Sequence, residues 1–336
     1  MTILITGGLG FIGSHTIVEL INNNNDILII DNLSNSKIEV LDKIKIITKT
    51  ENINFIKMDI LDKNKLEKVF NDYKIDTIIH FAAVKSVSES IKLPDKYYKI
   101  NIEGTLNLLA MMTKFNCKNF IFSSSATVYG EQNYPVNENS QTGVNITNPY
   151  GKTKYFVEEI IKDYSKAYPS LNFVILRYFN PVGAHESGLI GEDPNDIPNN
   201  LLPYILKVAV NKLDKLTIFG NDYNTCDGTC IRDFIHVVDL AKAHLSALIA
   251  LIENKISGLK IYNVGTGKGV TVGEFIKTFE KINNIKINWV YGPRREGDIE
   301  TVYSKVDKIY NELGWECKKK LNDICKDSYN FIKMNN

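Results

Sequence analysis

A short apolar segment, Thr2 to Thr6, runs directly into Gly7-Gly8-Leu9-Gly10-Phe11-Ile12-Gly13 and then into a helical pattern from Ser14 to Asn22. This junction constrains the fold more than any other stretch of the chain. It satisfies both Gly-x-Gly-x-x-Gly and Gly-x-x-Gly-x-x-Gly. Glycine permits the tight turn and, lacking Cβ, lets the backbone come close to a pyrophosphate. Backbone N–H groups and the positive end of the helix then hold the anion. Glycines alone would serve any turn; the strand before and the helix after make this one a phosphate site. Asp31 ends the second apolar run, 18 positions after Gly13. A carboxylate at that distance accepts hydrogen bonds from adenosine ribose hydroxyls and repels a 2′-phosphate. The expected cofactor is therefore NAD rather than NADP.

The first half repeats the same alternation. Candidate strands are Thr2 to Thr6, Asp26 to Ile30, Asn54 to Met58, Thr77 to Phe81, Asn119 to Ser123 and Asn172 to Arg177. They are apolar nearly throughout, as strands covered on both faces are. Helical patterns lie between them, including Lys63 to Tyr73, Tyr97 to Phe115 and Pro149 to Tyr168. Strand, helix, strand in repetition predicts an α/β fold, a Rossmann-type doubly wound parallel sheet. By topology, Asp59 after strand three and Phe81-Ala82-Ala83 after strand four line the adenine and nicotinamide path. From Pro181 glycines and prolines crowd a loop-rich stretch, followed by shorter helices. The expected division is a dinucleotide-binding domain over 1–180, with a return segment near 231–265, and a smaller C-terminal substrate domain over 181–336. Ile261 to Val264 reads as the returning strand.

The 40 basic and 39 acidic residues leave a net charge of +1. That balance argues against an electrostatic nucleic-acid binder. No apolar run approaches the roughly 18 residues of a membrane span, and Met1-Thr2-Ile3-Leu4 carries no basic flank or cleavage site of a secretory signal. The five cysteines are odd in number and scattered, which suits reduced thiols. Cys226-x-x-x-Cys230 has no matching pair to complete a zinc site, and the five histidines lack ligand spacing, so no metal is expected. His80 reads as a packed residue. A cytoplasmic enzyme is the resulting expectation.

Asn148-Pro149-Tyr150-Gly151-Lys152-Thr153-Lys154 reads as an N-cap, a proline at the first helical position, and a helix. Tyr150 and Lys154, four apart, share one face. A phenol has a pKa of about 10, too high for a base near neutrality; a nearby ammonium and a positive nicotinamide ring are expected to lower it. Tyr-x-x-x-Lys is common by chance and gains meaning from its setting, after a nucleotide site and a Ser-rich strand end. That end is Phe122-Ser123-Ser124-Ser125-Ala126-Thr127-Val128-Tyr129-Gly130. Ser125 or Thr127 is placed to share a hydrogen bond with a substrate hydroxyl and Tyr150. For Ser123 and Ser124, capping of loose strand ends is an equally good account.

These residues resemble the extended short-chain dehydrogenase/reductase family, and within it the UDP-hexose 4-epimerases along nearly the whole chain. The specific matches are Asp31-Asn32-Leu33-Ser34-Asn35-Ser36, Arg177-Tyr178-Phe179-Asn180-Pro181-Val182-Gly183-Ala184-His185, Ile197-Pro198-Asn199-Asn200-Leu201, Phe219-Gly220-Asn221-Asp222-Tyr223, Arg232-Asp233-Phe234-Ile235-His236-Val237 and Arg294-Arg295-Glu296-Gly297-Asp298. The resemblance implies NAD held through the cycle against Gly7, Gly10, Phe11, Ile12, Gly13, Asp31, Asn32, Ser34, Asn35, Ser36, Asp59, Ile60, Phe81, Ala82, Ala83, Lys85, Asn101 and Tyr178. It implies Tyr150 as acid/base, Lys154 as its partner, and Ser125, Ala126 and Thr127 at the sugar. Lys85 would lie near both nicotinamide and diphosphate. Phe179, Asn180, Asn199, Asn200, Leu201, Phe219, Arg232, Arg295 and Asp298 would meet the UDP-sugar, and guanidinium groups suit the diphosphate because they pair bidentately with its oxygens. A homodimer through two paired helices, those holding Tyr97 to Phe115 and Pro149 to Tyr168, is also implied, although their apolar faces serve equally as core.

The chemistry independently explains a redox cofactor in an isomerase. A sugar C4–H is not adjacent to a carbonyl, so no protein base removes it directly; oxidation to a transient 4-ketone opens the route. Two rival readings are a nucleotide-sugar 4,6-dehydratase and a non-catalytic nucleotide-binding member of the fold. The first needs Asp-Glu where this chain has Ala126 and Thr127; the second has no need of Tyr150 and Lys154, both present here. The position four residues after Asp298 is Val302. In the family a tyrosine there goes with plain hexoses and a small residue with N-acetylhexosamines as well. Valine leaves room for an acetamido group, though packing against the neighbouring domain also accounts for it, so UDP-GlcNAc and UDP-GalNAc join UDP-glucose and UDP-galactose as expected substrates.

Overall fold

Every second residue of the first strand belongs to a different core. In β1 (Thr2–Thr6), Ile3 and Ile5 pack with Ile17 and Val18 on one face, while Leu4 packs with Leu66 and Leu108 on the other. The strand is covered on both sides, which explains its lack of polar alternation. The computed structural model describes residues 2–194, 198, 200–295 and 298–336.

The remaining strands of the main sheet are β2 (Asp26–Asp31), β3 (Asn54–Lys57), β4 (Ile75–His80), β5 (Asn119–Ser125), β6 (Asn172–Tyr178) and a seventh, Leu259–Val264. From one edge to the other the order is seventh strand, β6, β5, β4, β1, β2, β3, and all pairings are parallel. The chain reverses direction of travel across the sheet between β1 and β4, the switch point where such folds bind ligands. Helix α1 (Phe11–Asn22) and helix Val237–Ile252 cover one face; α2 (Glu39–Thr48) lies beside α1. On the other face, α3 (Lys63–Asp72) and helices Gly104–Lys114 and Pro149–Ala167 supply buried residues to the second core.

The run expected as one helix from Tyr97 to Phe115 is broken into three parts. Pro94–Tyr98 leads into a π-helical turn, Lys99–Glu103, before Gly104–Lys114. Asn101 sits in that turn. Its amide accepts from Val84 N (2.9 Å) and donates to Val84 O (3.0 Å) and Thr153 Oγ1 (2.9 Å), so the wide turn fixes the loop after β4 to helix 149–167.

Residues after β6 build a separate core around Leu202, Ile205, Leu206, Leu216, Ile218, Phe275, Phe279 and Ile324. Among the described residues no helix is long and apolar enough to cross a membrane.

Candidate active site

The glycine loop is built so that nothing larger fits. Gly7 has φ +66°, and a Cβ there would lie 2.7 Å from Ala82 N. A Cβ on Gly13 would lie 2.6 Å from Gly7 O. Gly10 caps α1 without a side-chain acceptor, and the first turn carries no acidic residue. The helix end therefore keeps its positive potential for an anion in the cleft. Asp31 accepts from Leu9 N (3.1 Å), Leu33 N (2.9 Å) and Ser36 Oγ (2.8 Å), which fixes the carboxylate at the cleft wall. Asn32 donates to Asp59 Oδ2 at 2.9 Å.

One cleft collects most of the expected cofactor residues: Gly7, Gly10, Phe11, Ile12, Gly13, Asp31, Asn32, Ser34, Asn35, Ser36, Asp59, Ile60, Phe81, Ala82, Ala83, Lys85 and Tyr178. Tyr150 and Lys154 line its far end. The glycine cradle, uncapped helix end and fixed carboxylate are the chemistry a dinucleotide needs, so the residues present fit NAD. Asn101 is turned instead to Val84 and Thr153 and supports the cleft from behind.

Helix 149–167 carries the reactive pair. Asn148 caps it by accepting from Gly151 N (2.9 Å). Lys154 is 5% exposed; its ammonium donates to Ser123 O (2.7 Å) and lies 4.8 Å from the Phe122 ring centroid. Burial lowers its pKa to about 7 against the opposing pull of Glu158. Here one expectation needs correction. Desolvation in the cleft raises the Tyr150 phenol above its ordinary value; the nearby Ser125 hydroxyl and the Lys85 ammonium act the other way. Lys154 donates to the Ser123 carbonyl, and the Lys85 ammonium is a second cation that favours the phenolate.

Thr127 Oγ1 is buried without a partner, a polar atom left for a ligand or water. Ala126, Phe179 and Val302 share one small apolar cluster with Tyr129 and Val136, adjacent in sequence to Ser125 and Thr127. Val302 pairs in register with Arg232. Asp298 lies 3.0 Å from Arg295 and 4.0 Å from Arg232, and Arg295 stacks over Phe219 with 4.7 Å to the centroid. Asn180 donates through its backbone to Asp233 O (2.9 Å). Asn200 caps helix Leu201–Ala209 and donates to Glu192 Oε1 (3.2 Å). Asn199 lies outside the described residues, as do Ile197, Glu296 and Gly297 of the motifs quoted above.

Three features carry no short motif. His80 is buried between Thr6 Oγ1 (2.6 Å) and Thr105 Oγ1 (2.9 Å), and burial pushes its pKa down to about 3, so it is a neutral packed histidine. Glu158, fully buried, pairs with Arg177 (2.6 Å) and accepts from Ser124 Oγ. Arg177 continues to Tyr129 Oη (2.9 Å), which donates to Asn263 Oδ1 (2.6 Å). Glu158 follows Lys154 by four, the one local signal that it shares the reactive face. The third is a rim of Lys37, Glu192 and Asp193 across the cleft.

Residues 3–265 match the NAD dependent epimerase/dehydratase family. The chain belongs to that family. It is 52% identical to the UDP-glucose 4-epimerase of Haemophilus influenzae over 336 residues, covering 100% of this chain and 98% of that protein. The crystal structure of UDP-glucose 4-epimerase from Bifidobacterium longum in complex with NAD+ and UDP superposes with a TM-score of 0.94 at 46% identity, covering 100% of this chain and 99% of that one. The UDP-Glc/GlcNAc 4-epimerase of Campylobacter jejuni gives a TM-score of 0.85 at 38% identity, with 99% of each chain covered. The family's NAD requirement agrees with the cleft of this member.

Proposed function

We propose that this chain is a UDP-hexose 4-epimerase, an isomerase that interconverts UDP-glucose and UDP-galactose and also accepts their N-acetyl counterparts. The observation that carries this reading is that Tyr150 lines the same glycine-floored cleft as Asp31. NAD, when bound, supplies the hydride acceptor that makes a 4-ketone reachable. Tyr150 takes the proton from the 4-hydroxyl and later returns it, and Ser125, beside the phenol, holds the hydroxyl in line. Lys85 favours the phenolate and neutralises diphosphate charge. Arg232 and Arg295 grip the nucleotide, leaving the sugar loosely held so that either face of the ketone can be presented. Thr127 Oγ1, buried and unpartnered, suits a sugar hydroxyl.

The acetamido reading rests on Val302. Its half-buried side chain packs in the cluster of Ala126 and Phe179, next to Ser125. A tyrosine there would fill the space an acetyl group needs. Product analysis with UDP-glucose, UDP-galactose and the N-acetylated pair tests the activity. The ratio of kcat/KM for acetylated over plain substrates should fall at least tenfold in Val302→Tyr. No product from any of the four refutes the activity; an unchanged ratio refutes the gate.

A homodimer is part of the same reading. Leu106 and Phe156 are exposed on the two helices expected to pair, Val87 and Ile91 are exposed on a helix packed against 149–167, and exposed apolar side chains there favour a second copy. Light scattering on the purified protein measures it. Five free cysteines, three of them buried, suit a reducing cytoplasm.

A further inference from the structure

Residues 189–194 line the dinucleotide cleft together with the glycine loop, and Ile190 packs into the core of the main sheet. Their footing is rigid. His185 and Ile190 close a turn (N···O 3.0 Å), Asn335 Nδ2 donates to Gly188 O (2.9 Å), and Ala184 bridges to Gly191. Ile190 is buried, and Gly191 lies so close to Phe331 that a Cβ would be 2.7 Å from its ring. From this footing two consecutive carboxylates pair with lysines that follow strands of the main sheet. Asp193 pairs with Lys37, and Glu192 pairs with Lys85 at 2.8 Å. Lys37 follows β2, at the end of the cleft marked by Asp31; Lys85 follows β4, at the end marked by Tyr150. Glu192 also accepts from Asn200, so one carboxylate joins the cofactor cleft to the second lobe.

We propose that residues 189–194 are a strap that retains the dinucleotide, latched at one end by Asp193 to Lys37 and at the other by Glu192 to Lys85. The inference rests on the epimerase reading above, and it meets a need of that chemistry. Hydride leaves the sugar and must come back to the same molecule, so an enzyme that lost its reduced cofactor in mid-cycle would strand a ketone and stop. Two ion pairs, one at each end, let the cleft open only when both let go.

The test uses holoenzyme loaded with radiolabelled NAD and chased with excess unlabelled NAD, following label left on the protein. Variants are K37D, D193K and the exchanged pair K37D/D193K, all at solvent-exposed positions; melting curves verify their folding. Each single change should speed release about two- to fivefold, the range expected of an exposed ion pair. High salt should shrink the difference, and the exchanged pair should return to within about twofold of the parent. The exchange matters because it restores the latch but not any direct contact between Lys37 and the cofactor. Faster release in K37D alone, with no rescue, would overturn the strap in favour of such a contact. Unchanged release in both single variants would overturn it outright. Turnover of UDP-glucose in the same preparations separates the two ideas. Release that follows the latch charges in a protein without turnover supports the strap and removes the epimerase reading; turnover with release indifferent to those charges does the reverse.

Discussion

Replacing Lys154 by methionine should make the protein more stable at neutral pH. The ammonium is 5% exposed, and burial brings its pKa from 10.5 to about 7. At about 1.4 kcal/mol per pKa unit, keeping the proton on Lys154 in the folded state costs on the order of 4–5 kcal/mol. Its sign follows from proton counting. Below pH 7 both folded and unfolded chains carry the proton and the full penalty applies. Between pH 7 and 10.5 the unfolded chain binds the proton and the folded one releases it, so stability rises with pH. Above 10.5 both are neutral and the penalty is gone. Methionine has similar bulk and no charge to bury. It gives up the hydrogen bond to Ser123 O, worth about 1 kcal/mol, and the contact over Phe122, worth about 1 kcal/mol. The net gain at pH 6 to 7 is then about 2–3 kcal/mol. Urea unfolding midpoints of parent and variant, both freed of cofactor because a ligand bound to the native state adds its own stability, measure this at about pH 6, 8 and 10. The gain should shrink and vanish toward pH 10. A variant less stable than the parent at pH 6, or a difference that ignores pH, would refute the argument that Lys154 is held against its own desolvation.

Three further changes probe the rest of the site. Tyr150→Phe should lower turnover by about 10²–10⁴ and remove the climb in kcat/KM from neutral to alkaline pH that a raised phenol pKa gives the parent; the two pH profiles decide it. Gly13→Ala places a methyl 2.6 Å from Gly7 O, an overpacking cost of about 1–3 kcal/mol, so purified protein should carry about a tenth or less of the parent's NAD when the bound nucleotide is released and counted. Glu158→Gln leaves the 2% exposed Arg177 side chain without its carboxylate, which should cost about 3–5 kcal/mol of unfolding free energy, measured by urea titration; a loss below 1 kcal/mol would show that Tyr129 and solvent suffice as partners.

What could be read from the chain, and what could not, divides by sequence distance. Asp26 to Ile30 and Asn119 to Ser123 announce themselves as strands because a doubly covered strand is an unbroken apolar run. Their true ends are harder, since β5 runs on through Ser124 and Ser125, whose hydroxyls read as loop. The seventh strand begins at Leu259-Lys260 at the sheet edge, and its first three residues are only half-buried, so the run from Ile261 to Val264, which holds its buried residues, is what stands out. Asn101 bends its helix by bonding to Val84 and Thr153, partners with no local signature. The same holds for Glu158 with Arg177 and for Lys85 with Glu192, where charges far apart in the chain neutralise each other. The direction of the Tyr150 shift was missed for a related reason: Tyr-x-x-x-Lys spacing gives proximity on a helix face, whereas desolvation depends on everything that surrounds the ring.

The parallel pairing of Leu259–Val264 with β6 also bears on how the protein is made. Until residue 264 leaves the ribosome, β6 presents a bare edge of apolar backbone, and helix Val237–Ile252, which covers α1, has only just been synthesised. An unpaired central edge is a template for wrong partners, and chains of this size expose such edges while they fold. The nascent first lobe is thus left waiting for its own last strand, and shortening the chain before Leu259 would yield an aggregating fragment rather than a smaller nucleotide-binding protein.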